Sequence, residues 1–248
     1  MKRYLFRDVG RMLGSSEQRR YLIAVMRQLG GKYPRQCNLC GFKGMFRAVG
    51  HPPRYDAHCP GCRSRERHRL FGLMLDERPD LGAGQVIHFA PEASLAPLLK
   101  RRAARYQSAD LSMSGCDLML NIEALDLPDK GVDLFVLNHV LEHVADDRKG
   151  LAELYRCLAP RGTAAISVPL VDGWPETYED PAISHGPSDT ARQLHYGWPD
   201  HLRFYGRDLR QRIAAAGFEL SEYAASGAQT ALHGLVPGET IFLAHKPG

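Results

Sequence analysis

VDLFVLNHVLEHVADDRKGLAELYRCLAPRGTAAISVP, Val132–Pro169, decides the fold. Val132–Asn138 is an almost unbroken apolar run, as expected of a strand covered on both faces. Asp146 or Asp147 caps a helix whose Leu151, Leu154, Tyr155 and Leu158 recur at helical spacing. Pro160 and Gly162 end it. Thr163–Val168 is strand-like again. Strand, helix and strand in this order predict a parallel crossover unit.

The alternation extends both ways. Upstream, Gln85–Phe89 and Tyr106–Leu111 are apolar strands, with Leu95, Leu98 and Leu99 marking a helix between them. Leu118–Ile122 is a weaker strand. Downstream, 208–216 is a helix starting at Asp208 and stopping at Gly217. Phe218–Tyr223 and Thr240–His245 close the chain as two strands with no long helix between them, which implies an antiparallel last pairing. The pattern predicts an α/β fold, a doubly wound and mostly parallel sheet over 67–248. Its first helix, 67–77, has Leu70, Phe71 and Met74 on one side. Residues 170–206 are long for a connection and suggest a lid or substrate segment. Residues 1–34 read as a helical arm, with Ser15 and Gln18 as a capping box and Leu22, Val25, Met26 and Leu29 on one face; Gly30 and Gly31 stop that helix.

Six cysteines occur, and four form two pairs, Cys37-x2-Cys40 and Cys59-x2-Cys62. Two such knuckles complete a tetrahedral four-sulfur site suited to zinc, so 35–66 reads as a small zinc ribbon. Four protein ligands leave no open position, which makes the ion structural. Gly41 and Gly61 are expected to supply the backbone freedom of the turns. His58 and His68 are then surface or substrate-facing.

Residues 1–72 carry 16 Lys and Arg against 4 Asp and Glu, a net +12, while residues 73–248 carry 16 against 24, a net −8. This asymmetry fits an anionic partner for the first part, or the acidic second part itself. No apolar run spans a membrane and no cleavable leader is evident, so the expected location is the cytoplasm.

Ligands of open α/β sheets bind at the carboxyl ends of the strands. Three ends are polar here. Asp110 stands where a carboxylate accepts ribose hydroxyls. Asn121 and Ile122 follow the third strand of the sheet. Asn138 and His139 follow the fourth. In ALDLPDKGVDL, VLEHV and LAELYRCLAPRG the chain resembles the class I S-adenosylmethionine-dependent methyltransferases over roughly 84–245. With CPGCRSRERHR, VIHFAPE, ETYEDP and HYGWPDHLRFYG it resembles a bacterial group of them with an N-terminal zinc ribbon. The resemblance implies a Rossmann-like seven-stranded sheet and bound S-adenosyl-L-methionine, with Asp110 at the ribose, Asn121 and Ile122 at the adenine, and Leu111 among the cofactor-binding residues. His88, Phe89, Ala90, Glu92 and Asn138 complete the expected cofactor set. The usual glycine-rich first turn is replaced by His88-Phe-Ala-Pro-Glu92, which lacks the glycines and, at Pro91, one N–H donor.

The cofactor's sulfonium is already electrophilic, so the protein must chiefly align a nucleophile. His139 is the first candidate for a general base and His143 the second. His139-x2-Glu142-His143 also matches a zinc-peptidase pattern. It can equally hold a divalent ion, or anchor its loop by hydrogen bonds. The 170–206 segment is aromatic and polar, and Tyr178, His195, His201 and Arg203 are its substrate-contact candidates. Three functions compete: transfer to a small-molecule or sugar-like acceptor, on oxygen or nitrogen and with an anionic acceptor included; transfer to RNA gripped by Arg63–Arg69; and a non-catalytic zinc-ribbon interaction protein.

Overall fold

The computed structural model describes residues 31, 33–49, 54–112 and 115–248. The helix expected over 15–29 lies outside them. The chain divides into two units, one formed by residues up to Arg69 with Ser226–Pro237, the other by Leu70–Ala225 with Gly238–Gly248.

In the first unit β1 (Arg35–Gln36) pairs antiparallel with β2 (Lys43–Gly44), and β3 (Arg47–Val49) with β4 (Arg54–His58). So few residues cannot bury a conventional core. Phe46, Cys37 and Cys59 are its buried apolar centre. Arg69, at the start of α1 (Glu66–Glu77), is fully buried with its guanidinium 4.7 Å from the Phe46 ring centre. It donates to the carbonyls of Asp56, Ala57, Ser64, His233 and Gly234 at 2.7–3.2 Å. A fork of five donors surrounded by carbonyls ties chain segments together where apolar contacts are few.

The second unit is a seven-stranded sheet in the order β10-β11-β9-β8-β5-β6-β7. Its members are β5 (Gln85–Phe89), β6 (Arg105–Asp110), β7 (Leu118–Met119), β8 (Val132–Asn138), β9 (Leu158–Ser167), β10 (Glu219–Ala224) and β11 (Thr240–His245). Pairing is parallel from β7 through β9, and β11 alone runs against its two neighbours. This is the doubly wound sheet with an antiparallel closing strand that the alternation predicts. β8, buried except at Asp133, holds the centre with Phe135 and Leu137.

The helices are α2 (Ala96–Arg102), α3 (Asp147–Cys157), α4 (Pro181–Ser184), α5 (Asp189–Tyr196) and α6 (Leu209–Ala215). Asp146 caps α3, its side chain accepting from the Lys149 N–H. Leu151 and Leu154 face the sheet's core. The short α7 (Gly227–His233), capped reciprocally by Ser226 and Gln229, lies in sequence between β10 and β11 and belongs to the first unit. Residues 170–206 contain α4 and α5. Leu170 and Tyr178 bridge Tyr205 and Phe204, and Tyr196 is buried.

Candidate cofactor and metal sites

The strand order reverses between β5 and β8, and a ligand crevice forms at that switch, outside the carboxyl ends of the strands. Phe89, Asp110 and Asn138 end β5, β6 and β8. After β5 the chain turns sharply at Ala90, whose φ is +44°. This left-handed conformation is one that glycine adopts freely. The missing glycine is thus replaced by the smallest side chain in a glycine-like conformation, and Ala90 remains exposed.

His88 is fully buried. Its Nε2 lies 2.9 Å from Glu92 Oε2 and its Nδ1 lies 3.1 Å from the Tyr106 hydroxyl. An ionised Glu92 only accepts, so Nε2 carries the proton and Tyr106 donates to Nδ1. Burial, with Asp117, Cys116 and Glu92 nearby, pushes the Tyr106 hydroxyl up to about 12 and keeps it a donor. His88 and Glu92 therefore brace the turn after β5.

Asp110 Oδ1 accepts from the Ser112 N–H and hydroxyl, at 3.0 and 3.3 Å. Leu111 next to it is 71% exposed, an apolar side chain left open to a ligand. Asn121 is exposed and its Oδ1 accepts from the Glu123 N–H at 3.0 Å. Ile122 is buried and belongs to the main core. Asn138 is buried, with Oδ1 accepting from Ser167 Oγ. Among the described residues its Nδ2 has no hydrogen-bond partner. A buried amide donor without an acceptor at a strand end fits a polar ligand that the chain itself does not supply.

His139, directly after β8, has φ +58°, and its N–H donates to the Ser167 carbonyl. Its Nδ1 lies 3.0 Å from Oε1 of the fully buried Glu142. Strained non-glycine backbone of this kind concentrates at functional sites. Leu141–His143 form one 3-10 turn. His143 Nδ1 lies 3.0 Å from the Asp200 carbonyl, and His201 Nδ1 lies 3.1 Å from that of Tyr196. Burial holds the His201 imidazole below its ordinary pKa, with Glu142 opposing the shift.

Arg203, only 1% exposed, donates to the carbonyls of Leu141, Val144 and Ala145 at 2.9, 2.5 and 2.9 Å and pairs with Glu179 at 2.7 Å. It clamps the histidine loop, so His201 and Arg203 both join the 139–145 turn. Tyr178 and His195 form a separate pair, with the hydroxyl 2.6 Å from Nδ1.

In the first unit the sulfurs of Cys37, Cys40, Cys59 and Cys62 gather within 4.8 Å of one another. Cys37 and Cys62 sulfurs stand 3.6 Å apart, and those of Cys40 and Cys59 stand 3.7 Å apart. Thiolates about 2.3 Å from a tetrahedral zinc stand about 3.8 Å from each other. The residue after each knuckle is left-handed, Gly41 at φ +75° and Arg63 at +61°. Gly61 serves differently from the expected backbone freedom. A Cβ there would lie 3.2 Å from Cys40 Sγ, so its role is close packing. His68 is buried rather than exposed, accepting from the Arg65 N–H at 3.2 Å. Within 63–69, Ser64, Glu66, His68 and Arg69 are all buried, which leaves Arg63 as the one fully exposed cation of a stretch expected to grip phosphates.

Residues 72–166 match the sequence model of the methyltransferase domain. Among solved structures, the chain is similar to YcgJ of Bacillus subtilis (14% identity, TM-score 0.51, covering 73% of this chain and 99% of that one). It is also similar to an S-adenosylmethionine-dependent methyltransferase of Mesorhizobium loti (17%, TM-score 0.49, 71% and 98%). A third is the 1,6-didemethyltoxoflavin-N1-methyltransferase of Burkholderia thailandensis (18%, TM-score 0.49, 71% and 76%). No curated protein sequence matches. The domain match over residues 72–166, with the strand order, makes the second unit a methyltransferase domain of the S-adenosylmethionine-dependent kind. Among the described residues no helix is long and apolar enough to cross a membrane.

Proposed function

We propose that the enzyme methylates an oxygen or nitrogen of a small-molecule acceptor, with His139 as the general base. The observation that carries this reading is His139 itself. It follows the central strand, is held in a left-handed turn, is 27% exposed, and has Nδ1 3.0 Å from a buried carboxylate. Glu142 Oε1 lies beside Nδ1, and Nε2 would take the acceptor's proton as the methyl group passes from the cofactor's sulfur to the acceptor atom.

S-adenosyl-L-methionine supplies an electrophilic methyl group when bound. Asp110 accepts from its ribose hydroxyls and Leu111 covers an apolar face beside them. Asn121 and Ile122 border the adenine, Ile122 from the core side. Phe89 and Ala90, braced by His88 and Glu92, let the backbone approach the methionine portion, and Asn138 Nδ2 is a donor free for a polar group there. His143 is the second candidate for the base. Tyr178 and His195 offer the acceptor an aromatic and polar face, and His201 and Arg203 hold that face to the histidine loop. In the first unit Cys37, Cys40, Cys59 and Cys62 hold a structural zinc, whose binding supplies free energy for folding that unit.

A small acceptor is favoured over RNA because, in the 63–69 stretch, Arg69 is committed internally, Arg65 and Arg67 are half-buried, and only Arg63 is fully exposed to meet phosphates. Calorimetry with S-adenosylhomocysteine, followed by labelled-methyl transfer to separate metabolite and RNA pools, tests the reading. The expected result is cofactor binding with label in the metabolite pool. Label confined to RNA, with salt-sensitive retention, would overturn the acceptor class. Absence of cofactor binding would overturn the site.

A further inference from the structure

Glu142 is wholly buried, and among the described residues neither of its carboxylate oxygens accepts a hydrogen bond. His139 Nδ1 stands 3.0 Å from Oε1, without hydrogen-bond alignment. A carboxylate withdrawn from water in this way requires a counter-charge.

Two imidazoles stand beside it. His143 Nδ1 faces the Asp200 carbonyl and His201 Nδ1 faces that of Tyr196. A carbonyl only accepts, so each Nδ1 carries the proton, and each neutral ring keeps a lone pair on Nε2. Metal-binding histidines are fixed in the same manner, the second nitrogen donating to a carbonyl or carboxylate. The two rings meet edge to face with centres 4.8 Å apart. One ligand atom from each of Glu142, His143 and His201 lies within 4.8 Å of the other two. Arg203 fixes the carbonyls on both sides of Glu142-His143, so the arrangement is rigid.

We propose that Glu142, His143 and His201 bind a divalent transition-metal ion in the methyltransferase unit. Three electron-pair donors converge with no proton between them, and a cation is the group that satisfies all three. Two imidazoles and one carboxylate suit zinc and its first-row neighbours better than magnesium. Three protein ligands leave coordination positions open, unlike the four-cysteine site. An acceptor hydroxyl in an open position would lose its proton more readily. That consequence rests on the small-molecule reading, whereas the binding itself does not.

The test titrates full-length protein, its cysteine site loaded with zinc, with further Zn2+ alone, followed by calorimetry and by metal content after gel filtration. The expected result is a second equivalent in the wild type. Glu142→Gln should abolish it while the cysteine-bound equivalent stays. His143 is 35% exposed, so His143→Ala leaves the core intact. It should weaken the second equivalent at least about tenfold, the scale on which even outer-shell partners act. A single equivalent in the wild type, or a second one unchanged in His143→Ala, overturns the proposal. Cofactor binding measured on the same samples reports separately on the methyltransferase reading.

Discussion

Replacing Arg203 by Met separates two roles that the sequence alone leaves together. Met keeps much of the volume of the stem and removes the guanidinium. Leu141's carbonyl would keep the Tyr205 hydroxyl at 3.2 Å. Among the described residues, the carbonyls of Val144 and Ala145 would lose the side-chain donors that reach them, and Glu179 would lose its 2.7 Å partner but keep Arg212 at 3.7 Å. Each buried carbonyl left without a donor costs about 1–3 kcal/mol. Breaking a fully buried pair costs about 3–5 kcal/mol, and less is lost here because Glu179 is part-exposed and keeps Arg212 nearby. These overlap, and about 3–5 kcal/mol is the expected loss. In a domain of this size each kcal/mol lowers the melting temperature by about 2–4 °C, so the midpoint should fall by roughly 10 °C. Circular dichroism melts at fixed cofactor concentration measure it. If Arg203 instead met the acceptor, KM would rise while the melting temperature stayed within about 2 °C of wild type. That result would refute the clamp and, with it, the rigidity ascribed to the 139–145 turn.

Ala90→Gly should stabilise the protein by about 0.5–1 kcal/mol, because φ +44° strains alanine and not glycine, and should leave S-adenosylhomocysteine affinity equal or higher; a destabilised variant in the same melts would contradict this. Asp110→Ala removes a side chain whose hydrogen bonds among the described residues go to Ser112. It should weaken S-adenosylhomocysteine at least about tenfold by calorimetry, the loss of a charge-assisted hydrogen bond, with little change in melting temperature. His245 lies between the hydroxyls of Thr163 and Ser221, at 3.0 and 2.8 Å, and burial, with Arg78 nearby, holds its pKa below the ordinary value. The unfolded chain then binds more protons than the folded one, so stability falls as pH drops through about 6.5 toward the lower folded value. Denaturant titrations between pH 7.5 and 5.5, values chosen to bracket about 6.5, should show a shallower fall in His245→Gln.

Much of the architecture was legible because it follows from runs and spacings. Val132–Asn138 could only be a covered strand. Asp146 stood where a cap belongs, and the cysteine pairs carry their geometry in their intervals. What escaped reading has no local signature. Arg69 read as part of a phosphate grip and Arg203 as a substrate contact, yet both are buried and donate to backbone carbonyls distant in sequence. Nothing in the letters marks Ala90, Arg63 or His139 as left-handed, since non-glycine residues rarely adopt that backbone. Ile122 was identified as an apolar neighbour of the third strand, but its membership of the core depends on packing against Gly150 and its surroundings. The strand ends that carry Asp110, Asn138 and His139 were locatable because topology fixes where a doubly wound sheet opens.

The excursion of Ser226–Pro237 has a consequence for biosynthesis. Arg69 donates to the carbonyls of His233 and Gly234, so the unit that holds the cysteines stays incomplete until a ribosome has passed Gly234. Its cysteines are translated early, but the scaffold around them closes last. No single proteolytic cut can part the two units, because the polypeptide passes from one to the other three times.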